Sequence, residues 1–334
     1  MEKINYQKIC SELIKGLSER TANVIERRFG LKAGEKETLE AIGQTYGITR
    51  ERVRQIENEG FSHIIPKLEN YIEAFEFFKE TISSFGGFKR EDLLLNALGG
   101  EKYQNHAFFL LAVKGDLKRF QEDESFYSLW TQDEDIILKA KKIVDSAVKI
   151  LEKEANPISL EDLYELSEKE DREVFNSSIE ISKKIQQSPD GLYGLKNWVE
   201  INPKGIKDKA YLVLKKKEKP MHFTEVAGEI GKLPFTKNKK VHTATVHNEL
   251  IKDARFVLVG RGLYALAEWG YEPGVVKEVI MKILKDAKNP LTKEEIAEKV
   301  LAQRFVKENT IALNLQDKSF FVKDEEGRYN VREA

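Results

Sequence analysis

The sequence predicts a mainly α-helical chain: an N-terminal helix-turn-helix followed by tandem winged-helix repeats, each of three helices and a β-hairpin. Three observations carry this. The stretch TLEAIGQTYGITRERVRQIENEGFSHI, residues 38–64, alternates helical apolar spacing with a Gly-X-Thr turn. Trp130, Trp198 and Trp269 follow one another at 68 and 71 residues, each closing a similar run: FYSLW, LYGLKNW, LYALAEW. The last of these runs sits in RFVLVGRGLYALAEW, two strand-like segments around a Gly-Arg-Gly turn.

The elements follow in order. Residues 1–16 form a helix with Ile9 and Leu13 on its apolar face, continued by Leu17. Ser18 caps the next helix, whose face is Ala22, Ile25 and Phe29 and whose end is Gly30. After the loop KAGEKE, Leu39, Ile42 and Tyr46 give a short helix one apolar stripe. Gly47 closes it, because glycine enters a left-handed turn at little cost. Thr49 caps a second helix from Arg50 to about Asn58, with Val53 and Ile56 inward and Arg50, Glu51, Arg54 and Gln55 outward. A helix placed this way after a tight turn can enter a major groove. There Arg suits guanine, Gln suits adenine and Glu suits the cytosine amino group. Thr38, Thr49 and Arg52 complete the candidate DNA-binding set of this module.

TRERVRQIE resembles the recognition helix of region four of bacterial RNA polymerase sigma factors of the housekeeping class. LSERTANVIERRFGL and TLEAIGQTYGI resemble the helices before it, so the resemblance covers about Leu17 to Ile64. It implies a domain that reads the promoter −35 element in double-stranded DNA and docks on the β flap of core RNA polymerase. Arg50, Glu51, Arg54 and Gln55 fall on the family's base-reading or phosphate-contacting positions, with Arg52 on a neighbouring DNA-facing one. The few residues ahead of the match leave no room for the regions that melt the −10 element, so only the −35-reading end of a sigma factor is expected. Where the family continues with basic residues, this chain reads NEGFSHII, which lowers the expected number of phosphate contacts there.

Pro66 marks the expected end of the first segment, and domains are expected at 1–66, 67–132, 133–202, 203–270 and 271–334. The first winged segment reads Tyr71–Ile82, Arg90–Ala97, His106–Val113 and RFQEDESFYSLW. The second reads Asp133–Lys153, Ser159–Ser167, Arg172–Lys184 and a hairpin turning at Pro189-Asp190-Gly191. The third reads Ile206–Glu218, Phe223–Lys232, Thr243–Asp253 and the hairpin around Arg261. The fourth reads Val275–Asp286, Thr292–Gln303, Glu308–Asp317 and FFVKDEEGRYNV. The closing tyrosines and tryptophans are expected as core residues on the last strand of each segment.

KPMHFTEVAGEI with TVHNELIKDARFVLVGRGLYALAEWG resembles the HARE-type winged helix-turn-helix, over about Lys204 to Gly270. That family includes the N-terminal domain of the RNA polymerase delta subunit and implies binding to DNA or to transcription partners. Residue chemistry alone nominates Lys237, Lys239 and Lys240 ahead of its third helix, Thr245 beside Thr243, His247 and Asn248 near that helix's N-terminus, and Arg261 at the wing tip. Ordinary surface charge is the alternative for these four cations. The run KKKEK, Lys215–Lys219, reads as a solvated helix end.

Composition sets the outer bounds. The 334 residues are 41% hydrophobic, 33% charged and 10% aromatic, a globular balance. Net charge is −1, but its distribution is uneven. Residues 1–66 carry 11 basic and 10 acidic side chains, and residues 203–270 carry 14 and 7, so the remainder is acidic. The acidic segments are expected to be spacers or protein-docking modules. One cysteine, Cys10, leaves no disulfide framework. His63, His106, His222, His242 and His247 show no zinc spacing, and the pair His242/His247 lacks a third ligand. No membrane span, signal peptide, phosphate-binding glycine loop or nucleophile elbow is present. The expectation is a cytoplasmic, nucleoid-associated, non-enzymatic protein with no cofactor, no metal and no small-molecule substrate. The rival expectation is a delta-like accessory subunit of RNA polymerase without sequence-specific DNA binding.

Overall fold

Local capping sets the first four helices. The computed structural model describes residues 4–332 apart from 33, 234, 235, 237–239, 272 and 288. Helices Tyr6–Ile14 (α1), Glu19–Phe29 (α2), Leu39–Tyr46 (α3) and Arg50–Ile64 (α4) open the chain. Side-chain oxygens of Ser18, Thr38 and Thr49 accept the N–H groups of Thr21, Ala41 and Arg52 at 3.1, 3.1 and 3.2 Å. Gly30 and Gly47 end α2 and α3 in the left-handed region, at φ 63° and 64°. The small core between α2, α3 and α4 is Val24, Ile42, Val53 and Ile56.

α4 runs past the expected Asn58, and the reason is packing. Gly60 is buried where α4 crosses α2: a Cβ there would lie 2.5 Å from Ile25 Cδ1 and 2.9 Å from Thr21 Cγ2. Only a glycine allows that approach. Beyond it Phe61 and Ile64 enter a second, larger core.

Pro66 is not a break. It lies in the first turn of a 3₁₀ helix, Ile65–Tyr71, that continues directly from α4, a position where its missing N–H costs nothing. Next come Ile72–Ser83 (α5), Phe88–Arg90 (β1), Glu91–Lys114 (α6), Lys118–Phe120 (β2) and Leu129–Thr131 (β3), the strands in antiparallel order β1-β3-β2. The two helices expected at 90–97 and 106–113 are the arms of α6, which loses helical geometry at Gly100 (φ 56°) and Tyr103 (φ −118°). Phe29 packs on Phe61, Phe108 and Phe109 at centroid distances of 5.8, 5.9 and 5.2 Å, and Phe108 meets Trp130 at 5.9 Å. The segments expected to divide at residue 66 therefore share one core from Tyr6 to Trp130.

Residues 133–196 belong to the same unit, Met1–Lys196. They form Ile136–Glu154 (α7), Leu160–Glu165 (α8), Arg172–Ile181 (α9) and the hairpin Ile185–Gln187 (β4) with Tyr193–Leu195 (β5). α9 leans on β1: Ser177 Oγ donates to the Phe85 carbonyl at 2.7 Å, and buried Lys89 pairs with Glu180 at 2.5 Å.

The second unit, Asn197–Ala334, holds two three-helix-plus-hairpin modules. The first is Gly205–Lys217 (α10), Met221–His222 (β6), Phe223–Lys232 (α11), Thr243–Lys252 (α12), Phe256–Gly260 (β7) and Leu263–Leu266 (β8), with sheet order β6-β8-β7. The second is Val276–Asp286 (α13), Lys293–Leu301 (α14), Glu308–Leu315 (α15), Phe321–Lys323 (β9) and Tyr329–Val331 (β10). Phe305 N–H donates to the Val259 carbonyl at 2.8 Å, and buried Arg304 donates to the carbonyls of Leu258 and Gly274.

The tryptophans depart in part from expectation. Trp130 is buried on β3. Trp198 sits in the turn after β5, and Trp269 ends a 3₁₀ turn after β8; both are only half-buried. Strands β5 and β8 stop at Leu195 and Leu266, so these indoles cover module edges. No helix among the described residues is long and apolar enough to cross a membrane.

Candidate nucleic-acid interface

α4 is held from behind and free in front. Its C-terminal half is fixed by Gly60, Phe61 and Ile64, and its N-terminal half rests on Val53 and Ile56. Arg50, Glu51, Arg52, Arg54 and Gln55 are all exposed, as are Thr38 and Thr49. Among the described residues of the Met1–Lys196 unit, none covers them. The structure thus brings the N-terminal candidates together on one open helix face.

Their charges are already paired along the helix. Arg54 donates to the Glu51 carboxylate at 2.5 and 2.9 Å, and Arg52 Nη1 donates to Gln55 Oε1 at 2.9 Å. Those hydrogen bonds hold the Glu51 carboxyl below its usual range and push the Arg54 guanidinium up. Both pairs are exposed, so they open at little cost when a stronger partner arrives. Arg50 stands exposed at the N-terminal turn of α4.

Several positioning residues escaped the sequence reading. Arg27 Nε and Nη2 grip Glu37 at 2.7 and 2.6 Å, and Nη2 also donates to Thr45 Oγ1 at 3.0 Å, tying α2 to the start and end of α3. Tyr46 donates to Asn23 Oδ1 at 2.8 Å, with the Arg20 guanidinium 5.2 Å from its ring centroid. Glu57, on α4, faces Arg28 at 3.7 Å. Burial pushes its carboxyl up, against the opposing pull of Arg28 and Arg54. The signal for Arg27–Glu37 was a charge pair ten residues apart, which no helical spacing flags.

The winged module is less defined. Lys237 and Lys239 lie outside the described residues. Lys240, Thr243, Thr245 and Asn248 are exposed before and along the first turns of α12, and Arg261 is exposed at the β7–β8 turn. α12 has no side-chain cap, so its first N–H groups remain open to an anion. His247 is not a free ligand: it stacks on Phe223 at 4.4 Å and meets Tyr264 edge-on at 5.9 Å. Gly262, at φ 71°, lies against the His222 ring, so the wing turn requires glycine. No cluster of three or more metal-ligating side chains occurs among the described residues.

A capped helix, a left-handed glycine turn and an open second helix define a helix-turn-helix of the nucleic-acid-binding class. Residues 13–64 match the family model for Sigma-70, region 4. Residues 205–269 match the HARE-HTH family model, the helix-turn-helix domain of ASXL and restriction endonuclease proteins. Over 46 residues the chain is 50% identical to RNA polymerase sigma factor SigA of Bacillus sp, covering 14% of this chain and 12% of that protein. It is 48% identical over 46 residues to RNA polymerase principal sigma factor HrdD of Streptomyces griseus and of Streptomyces viridifaciens, covering 14% of this chain and 14% of each protein. The chain therefore spans 12–14% of the length of these curated relatives.

Proposed function

We propose that this chain is a DNA-binding transcription factor that associates with RNA polymerase and reads a −35-like promoter element. Arg50, Glu51, Arg54 and Gln55 contact base edges; Thr38, Thr49 and Arg52 contact the backbone. The observation that carries the reading is the division of α4: its rear half is locked in a core, while its front half holds four base-reading side chains on an open face. The winged module adds backbone contacts through Lys237, Lys239, Lys240, Thr245 and Arg261. Two modest contacts on one chain reinforce each other through effective concentration. The mechanism is binding and recruitment, without chemistry, in the cytoplasm at the nucleoid.

Selection from randomised duplexes with the full chain tests this. Arg54→Ala is expected to weaken the preferred site about 5- to 150-fold and to relax base preference at one position. Equal affinity of mutant and wild type across all sequences would reject direct readout.

A second reading, a delta-like accessory subunit without sequence preference, is favoured by one observation. The segment that follows the reading face, Asn58–Ile65, sends Phe61 and Ile64 into the core and offers no lysine or arginine to phosphate. Pull-down of core polymerase with and without promoter DNA separates the two. Retention by polymerase alone, with no preferred duplex, selects the accessory subunit.

A further inference from the structure

Within the Met1–Lys196 unit an open groove of about 1120 Å³ lies between the start of α1, the outer edge of α5 and the break in α6. Its floor is apolar and rigid. Tyr6, Phe77, Leu98 and Tyr103 line it, with the Tyr6 and Tyr103 rings stacked at 5.8 Å. The Tyr6 hydroxyl donates to the Leu98 carbonyl at 2.5 Å, so the ring cannot swing into the space. The break at Gly100 supplies the second wall, because its φ of 56° turns the chain out of the first arm of α6.

The rim is acidic. Glu73, Glu76 and Glu80 line the α5 side, and Glu101 stands on the α6 side. All four are exposed, and none forms an ion pair among the described residues. Elsewhere in this unit many carboxylates do, as with Glu91–Arg119, Glu134–Lys118 and Glu170–Lys139. A cation on the rim, Lys102, lies 5.1 Å from the Tyr103 ring centroid. Glu73, Glu76 and Glu80 stand at i, i+3 and i+7, one helix face about 10 Å long at 1.5 Å per residue. Such a rim repels nucleic acid and acidic peptides.

We propose that this groove docks a basic amphipathic helix of a protein partner. Two turns of that helix set apolar side chains on the tyrosine–phenylalanine floor. Lysines or arginines at matching i, i+3 or i+4, and i+7 positions face the α5 glutamates. The carboxylates are spread too far along α5 for one small cation to span, and the floor rewards apolar area that a polyamine lacks. This surface is separate from the DNA-reading face and does not depend on its assignment.

Fluorescence polarisation of the full chain with a labelled 15-residue leucine–lysine helical peptide tests the proposal. Saturable binding is expected, weakened about tenfold by the combined Glu73→Lys, Glu76→Lys and Glu80→Lys change, since three exposed ion pairs are lost together. The same charge change scattered over exposed Glu124, Glu168 and Glu325 is expected to leave binding within about twofold. A peptide with every leucine replaced by glutamine is expected not to bind, nor is spermine expected to displace the leucine–lysine peptide. A photo-crosslinking version is expected to label residues of α5 or the α6 break in the wild-type chain, which keeps the test independent of how the variants fold. Equal losses in the two charge variants, binding by the glutamine peptide, displacement by spermine, or crosslinks elsewhere would each overturn the proposal.

Discussion

Placing a methyl group at Gly60 tests the packing on which the DNA-reading helix depends. Gly60→Ala adds a carbon 2.5 Å from Ile25 Cδ1 and 2.9 Å from Thr21 Cγ2, where ordinary carbon contacts need about 3.5–4.0 Å. Ile25 is fully buried, so its side chain has no open space to yield into. Overpacking of this kind costs about 1–3 kcal/mol. Alanine in a helix interior returns about 1 kcal/mol relative to glycine. The net is a destabilisation of about 0–2 kcal/mol. Gly228, in α11, makes the contrast: a Cβ there meets nothing within 4 Å, so Gly228→Ala is expected to stabilise by about 0.5–1 kcal/mol. Urea unfolding measures both. Trp130 reports on the first unit in a Trp198→Phe, Trp269→Phe background, and the native Trp198 and Trp269 report on the second. If Gly60→Ala proves as stabilising as Gly228→Ala, α2 and α4 do not approach as described, and the anchoring of the reading helix is wrong.

Arg255→Ala is expected to destabilise the second unit by about 2–4 kcal/mol. It strips the partner, 2.9 Å away, from a buried Asp208 that keeps the Lys204 N–H; calorimetry of the full chain checks it. Hydrogen bonds from Lys232 and Lys217 hold the Glu229 carboxyl down at about 2. A carboxyl lowered on folding adds stability above its unfolded value, and that stability is lost as pH falls from about 4.5 toward about 2. Glu229→Gln is expected to flatten this part of the acid unfolding curve at low salt, and an unchanged curve would remove the ion pair from the account. Lys240→Ala with Arg261→Ala is expected to weaken binding to all duplexes alike and to reduce the salt slope by about two contacts, read from affinity against salt concentration. An unchanged slope would take the wing off the DNA.

What the sequence made legible was local. Ser18, Thr38 and Thr49 as caps, and Gly30 and Gly47 as left-handed stops, are signals between residues two to four apart, so the first four helices could be read directly. The outward set Arg50 to Gln55 followed from the same short-range geometry. What could not be read was long-range. Phe29 meets Phe108 and Phe109 some 80 residues on, and nothing in the spacing of either segment announces the other. That distant pairing turned an expected boundary at Pro66 into a continuous core.

The same pairing explains the departure after the reading helix. A recognition helix that ends on basic residues is steadied partly by the phosphates it touches. Here NEGFSHII places Gly60, Phe61 and Ile64 against α2 and the aromatic cluster, so the helix is steadied by the protein before any ligand arrives. Affinity from that end of the helix is exchanged for a fixed orientation of the other end. A site held on a rigid element loses less ordering entropy on binding. The expected signature is a domain with a shallow salt dependence and a sharp dependence on base sequence, the reverse of what a loosely anchored basic helix would give.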